Sequence, residues 1–191
     1  MDDGVSDREL LERARAGDER AFRLLVERHE PAVASVVTAM LGPGDEAEDV
    51  GQETFIRFYR SMDRFRGEAA LKTYLTRIAI NLSRNARKGG SRQAARFPSR
   101  DDPESRAEER FLPATEGGEE IERRERERQV RRAIGRLDGK HRAVVVLRMI
   151  EGYSTKETAA ILEVPQGTVL SRLSRAMRKL EAELEPYVRT E

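Results

Sequence analysis

Apolar residues recur at three- and four-residue spacing along most of the chain, and nowhere in sustained alternation, so helices are predicted and strands are not. Residues 7–41 hold two such patterns. Leu10, Leu11 and Ala14 sit in the first, which ends near Gly17; Phe22, Leu25, Val26, His29, Val33, Val36, Val37 and Met40 form a long stripe in the second. Leu41-Gly42-Pro43-Gly44 stops it. An acidic opening of Asp45, Glu46, Glu48 and Asp49 suits the positive end of a helix dipole, and the pattern continues through Val50, Thr54, Phe55, Phe58 and Met62. Arg64-Phe65-Arg66-Gly67 reads as a loop. Residues 69–87 predict another helix, with Leu71, Tyr74, Leu75, Ile78, Ala79 and Leu82 inward and a basic end at Arg84, Arg87 and Lys88.

The pattern lapses over residues 89–120, where Gly89-Gly90, Pro98, Pro103, Pro113 and Gly117-Gly118 fall among mixed charges. Such a stretch buries no core and is expected to be a flexible linker. Periodicity resumes near Ile121. Glu122–Arg126 and Glu127–Arg131 are helix-supporting pairs four apart, and Val130, Ile134 and Leu137 give that helix a face. Asp138-Gly139 turns into a helix containing Ala143, Val144, Leu147 and Ile150. The expected fold class is all-α: helical domains at 5–88 and 121–186 joined by the linker at 89–120.

Residues 152–180 carry the most specific signal. Ser154 and Glu157 have capping-box spacing, a helix follows from about Thr155 to Leu162, and Val164-Pro165 breaks it before another begins. In that last helix Val169, Leu173, Met177 and Leu180 make an apolar stripe, while Thr168, Ser171, Arg172, Arg175, Arg178 and Lys179 project from the other side. Two short helices across a tight turn, the second basic on its outer face, have the layout of a helix-turn-helix DNA reader. A solvated basic face is the plain alternative.

Composition narrows the rest. Charged residues make up 37% of the 191, and aromatic residues only 5% with no Trp, so the cores must be small and aliphatic. Net charge is +1, so any attraction to nucleic acid must be local. Without cysteine there is neither a disulfide framework nor a thiolate metal site, which fits a cytoplasmic protein. No apolar run approaches a membrane span's length and no signal-peptide core is present. His29 and His141, the two histidines, have no ligand-spaced companions and are expected to be structural. No catalytic residues, metal site, cofactor or small-molecule substrate is expected.

The order of parts resembles the extracytoplasmic-function (ECF) group of the sigma-70 family. Three stretches carry the resemblance: Glu48-Asp49-Val50-Gly51-Gln52-Glu53-Thr54-Phe55-Ile56-Arg57-Phe58-Tyr59, which is similar to the family's polymerase-binding helix; Phe65-Arg66-Gly67 with Thr73-Tyr74-Leu75-Thr76-Arg77-Ile78-Ala79-Ile80-Asn81-Leu82, similar to its promoter-melting segment; and Gly167-Thr168-Val169-Leu170-Ser171-Arg172-Leu173-Ser174-Arg175-Ala176, similar to its recognition helix. The resemblance implies a non-enzymatic initiation factor. Its N-terminal domain would dock on the β′ clamp helices of core RNA polymerase and capture the minus-ten element. Its C-terminal domain would sit on the β flap and read the minus-thirty-five element of promoter DNA. An anti-sigma protein would hold it inactive.

On that reading Glu48, Asp49, Gln52, Glu53, Phe55 and Tyr59 face the polymerase, Phe58 being core. Phe65, Lys72, Tyr74, Arg77, Asn81, Arg84, Arg87 and Lys88 serve the minus-ten element and melting, with Phe65 and Asn81 the candidates for holding an unstacked base. Gln166, Thr168, Ser171, Arg172, Arg175 and Lys179 serve the minus-thirty-five element. Tyr74 stands where the family often has Trp and Leu71 where it often has an aromatic residue, and both keep apolar bulk. Ile80 and Asn85 replace commonly charged residues. A conventional helix-turn-helix regulator is the competing class, but a dimeric one needs rigidly spaced recognition helices, which a long linker does not provide.

Overall fold

Several helices begin where a short polar side chain can satisfy the backbone N–H groups that have no partner inside the helix. In the computed structural model, which describes residues 5–67, 69–96 and 118–188, Ser6 accepts from the Glu9 N–H and opens α1, Asp7–Arg15. Asp18 accepts from the N–H groups of Arg20 and Ala21 and opens α2, Glu19–Leu41. The Arg13 guanidinium, bonded to Asp18 first of all, holds that carboxyl below the usual carboxylate range. Gly42 and Gly44, both at positive φ, turn the chain into α3, Asp45–Ser61, and a single 3-10 turn at Met62–Arg64 follows. α4 spans Leu71–Arg96.

Heptad-like spacing decides what is buried. α2 buries Ala21, Leu25, His29, Val33, Val36, Val37 and Met40, and α3 buries Ala47, Val50, Thr54 and Phe58. His29 tolerates that position because its Nε2 lies 2.8 Å from Asp7 Oδ2, while Arg28 holds the other oxygen of Asp7. Leu71 is buried and Tyr74 packs edge-on against Phe58, so the loss of larger aromatics costs the domain no packing partner. Phe58 is core, as expected.

The C-terminal half comprises α5, Gly118–Arg136; α6, Gly139–Val145, which runs on into a π-helical turn at Val146–Ile150; α7, Thr155–Leu162; and α8, Gln166–Val188. The π turn is closed by the Glu151 N–H donating to the Val146 carbonyl. Asp138 caps α6 through the N–H groups of Lys140 and His141, and its carboxylate lies 2.5 Å from His141 Nδ1. Burial pushes that carboxyl up, but the His141 contacts and the two backbone donors outweigh it and bring it down to about 2.

Several positions depart from the sequence reading. Helical backbone continues through residues 89–96 and begins again at 118, inside the span expected to be linker; residues 97–117 lie outside the described residues. Val130 is exposed; α5 instead buries Ala133 with Ile134, and Leu137 is buried just beyond its end. Ile150 is exposed at the end of the π turn, which shifts the helical phase by one residue, while Val145 and Val146 before it are buried. In α8, Met177 is 42% exposed and Ala176 is fully buried, so the inward stripe is Val169, Ala176 and Leu180 with Leu173 half-buried. Leu173 and Met177 share a notional face at four-residue spacing, but a 3.6-residue helix drifts, and the small Ala176 fits against α5.

The two halves share one buried cluster, which runs from Leu10 through Phe58 and Leu75 to Val144, Leu147, Ile161 and Val169. α6 is the reason. Ala143 to Leu147 are consecutive buried residues, and a helix apolar all round must be covered all round. Arg142 beside them is only 2% exposed and donates to the Met40 carbonyl at 2.6 Å. That carbonyl lies in the last turn of α2, where intrahelical donors have run out and a cation complements the dipole.

Candidate nucleic-acid and polymerase interfaces

The helix-turn-helix forms as its local signals dictate. Ser154 Oγ accepts from the Glu157 N–H at 3.2 Å and Glu157 Oε2 accepts from the Ser154 N–H at 2.8 Å, and these bonds hold the Glu157 carboxyl below its ordinary value. Glu163 closes α7 in the left-handed region at φ 54°, its N–H bonded to the Ala159 carbonyl. α8 then starts after Pro165. Gln166, Ser171, Arg175 and Lys179 are exposed on it, and Thr168 and Arg172 are half-exposed on the same helix. Lys179 also lies 3.5 Å from Asp138, at the end of this face nearest α6. Leu170 is exposed among these polar groups, and sequence reasoning passed over it. The signal was there, an apolar residue out of phase with the stripe, and such a group suits a thymine methyl.

The second cluster is built on the 3-10 turn and the start of α4. Phe65 and Tyr74 lie 4.8 Å apart between ring centroids, and the Arg77 guanidinium sits 5.4 Å from the Tyr74 ring. Tyr74 is held from behind by Phe58 and by its hydroxyl, 3.1 Å from Ser61 Oγ. These side chains, with Arg64, Arg66, Ala69 and Thr73, line a cavity of about 380 Å³. Arg15, which sequence reasoning missed, pins the turn: its guanidinium donates to the carbonyls of Met62 and Phe65. No local pattern could flag a contact between residues fifty apart. Lys72 and Asn81 are exposed and Arg84 and Arg87 half-exposed along α4; Asn81 does not line the cavity that holds Phe65, and the side chain of Lys88 lies outside the described residues.

The third surface is the outer side of α3. Glu48, Asp49, Gln52 and Tyr59 are exposed on it, with Glu53 and Phe55 half-buried. Glu53 pairs with Arg57 at 2.8 Å, and Tyr59, 56% exposed, stands edge-on to Phe22 at 4.9 Å. Ile56 is also exposed here and extends the apolar part of the surface. Carboxylates beside exposed apolar groups make a face suited to a protein partner that carries basic and aliphatic side chains. No described helix is long and apolar enough to cross a membrane.

Comparison with known proteins agrees with this division. Residues 25–93 match sigma-70 region 2 and residues 127–180 match sigma-70 region 4. The chain is 37% identical to the ECF RNA polymerase sigma-E factor of Salmonella typhimurium over 195 aligned residues, covering 99% of this chain and all of that protein. Its fold is similar to CnrH solved in complex with the cytosolic domain of CnrY, with a TM-score of 0.67 and 30% identity over 95% of this chain and 99% of that one. It is also similar to the sigma factor RpoE of Bartonella quintana, solved with the anti-sigma factor NepR, with a TM-score of 0.66 and 25% identity over 86% of this chain and 96% of the other. With the cavity cluster inside region 2, the helix-turn-helix inside region 4 and kinship running end to end, the chain belongs to the ECF group of the sigma-70 family.

Proposed function

We propose that this sigma factor joins core RNA polymerase in the cytoplasm through the outer face of α3 and directs it to promoters bearing minus-thirty-five and minus-ten elements. One observation carries the reading. A single chain presents a hydroxyl- and guanidinium-bearing helix face suited to a duplex groove and, in the other domain, a cation-flanked aromatic cavity suited to an unstacked base. Gln166, Thr168, Ser171, Arg172, Arg175 and Lys179 read the minus-thirty-five duplex. Phe65 and Tyr74 hold a base flipped from the minus-ten element, and Arg77, Arg84 and Arg87 follow the phosphates of the melted strand. Glu48, Asp49, Gln52 and Tyr59 meet the β′ clamp helices, and the C-terminal domain meets the β flap.

An anti-sigma protein is the regulatory partner in this reading. A groove of about 510 Å³ between α2 and the α5–α6 pair is lined by Pro31, Ala34, Ala39, Ile134 and Ile150 together with Arg128, Arg131 and Arg132. Its chemistry suits an acidic amphipathic segment. The test is run-off transcription with purified core polymerase on a genomic template library. Defined transcripts that depend on the added chain are expected, and their absence, in the presence of an active polymerase control, overturns the proposal.

A further inference from the structure

Leu170 is an apolar side chain of α8 that the core does not take up. It is 55% exposed, whereas Val169 before it is fully buried and Leu173 after it is half-buried against the core. It stands one turn into the helix, after Gln166 and Gly167, and the N-terminal turns of a reader helix are the part that reaches base edges. Its neighbours on the same flank are short: Gly167 three residues before it and Ser174 four residues after it, both exposed. A Cβ at Gly167 would meet nothing within 4 Å, and the backbone there is ordinary helix, so neither packing nor conformation asks for glycine. The missing side chain leaves room for a duplex to come close beside Leu170.

A lone exposed leucine on a protein surface needs no explanation. One on a face assigned to a duplex groove does, because binding takes it out of water against whatever base edge lies opposite. Leucine has neither donor nor acceptor. Set against an amino group, a carbonyl or a ring nitrogen, it would leave that group with neither water nor a partner, which is costly. The C5 methyl of thymine is the major-groove group that asks for no hydrogen bond and gains from apolar contact. Ser171 beside it donates its proton to the Thr168 carbonyl at 3.1 Å, so it turns acceptor lone pairs outward, as suits the amino group of the adenine that pairs with thymine. Thr168 also carries a methyl, but it is only half-exposed and lies about 200° around the helix from Leu170.

We propose that Leu170 is a specificity-determining residue of the minus-thirty-five contact, its side chain packed on the C5 methyl of one thymine. The contact adds sequence preference without adding charge, which separates it from the contacts of Arg172 and Arg175. It selects thymine at one position of the element and disfavours bases whose polar edge the leucine would cover. The inference rests on the assignment of α8 to the minus-thirty-five duplex.

The test uses the full chain joined to core polymerase and a labelled promoter duplex defined by the run-off transcripts. Each thymine of the minus-thirty-five element, on either strand, is replaced in turn by deoxyuridine, which removes only the methyl. At one thymine the replacement should weaken wild-type binding about fourfold, the worth of one methyl group taken out of water. Leu170→Ala substitutes a better helix former at an exposed site and should melt with the wild type. It should bind the thymine duplex at least as weakly as the wild type binds the deoxyuridine one, and show no difference between the two. Its salt slope should match the wild type, since no phosphate contact is lost. Met177→Ala, about two turns further along the same flank, should keep the full deoxyuridine effect. An effect that survives in Leu170→Ala, an effect lost in Thr168→Ser, or no effect at any thymine overturns the proposal. If Arg172→Ala and Arg175→Ala leave promoter binding as unchanged as Leu170→Ala does, the assignment of α8 fails and the methyl contact with it.

Discussion

α4 and α8 are both amphipathic helices with basic residues, and both are assigned to DNA, yet they sit in opposite circumstances. α8 buries one stripe, Val169, Ala176 and Leu180, and leaves Ser171, Arg175 and Lys179 exposed. α4 is covered on two sides: Leu71, Leu75 and Ala79 are buried in the core, while Thr76 is buried against Tyr153 of the C-terminal domain. A basic face open to water is ready for a duplex. A basic face under a neighbouring domain is a conditional one, whose use depends on what moves that domain. The difference teaches that a binding face is defined by its cover as much as by its residues.

The largest effect that would sharpen this contrast comes from below α4. Phe58→Ala should cost about 3–5 kcal/mol in urea unfolding, since Phe58 is buried and braces Tyr74, while Met177→Ala on the open helix should stay within about 0.5 kcal/mol. Equal effects would show that Phe58 does not brace α4 from a closed core. Next, Arg172→Ala should weaken minus-thirty-five binding by about 1–3 kcal/mol in the free chain and on polymerase alike, if it reads a base. A uniform loss across sequences, with the salt slope lower by about one, would reassign it to phosphate.

Arg15→Met removes charged hydrogen bonds from two carbonyls and should destabilise the N-terminal domain by about 1–2 kcal/mol. It should also reduce run-off product on duplex templates, with recovery when the minus-ten region is pre-melted; no recovery would mean that Arg15 does not act through the Phe65 turn. The smallest effect is at Asp138. Its carboxyl ionises at about 2 when folded and at 3.8 when free, so its contribution is fully present above pH 4 and lost as pH falls through about 2. Asp138→Asn should flatten that acid limb of the stability curve, measured by thermal melts of the full chain.

What could be read from the sequence was local. The capping box at Ser154, the start of α8 after Pro165 and the acidic opening of α3 depend on neighbours within a turn, and each forms at the expected residue. The polar residues assigned to α8 are exposed or half-exposed on it. Phasing failed where distant contacts set it. Ile80 was left out of the inward face of α4 and is fully buried, and the Arg15 contact joins residues fifty apart. Ile150 was misplaced because counting at 3.6 residues per turn cannot anticipate a wider turn.

That wide turn at Val146–Ile150 works as a spacer. In an uninterrupted α-helix every later residue would be displaced by about 100° around the axis. The carboxylate of Glu151 would then swing away from Ser35 and Lys72, and Tyr153 from Thr76. The length of this segment, more than the identity of its side chains, sets the alignment between the two halves. Removal of one residue from it would turn α7 against α6 as well as against the N-terminal half, and the shared core could not close.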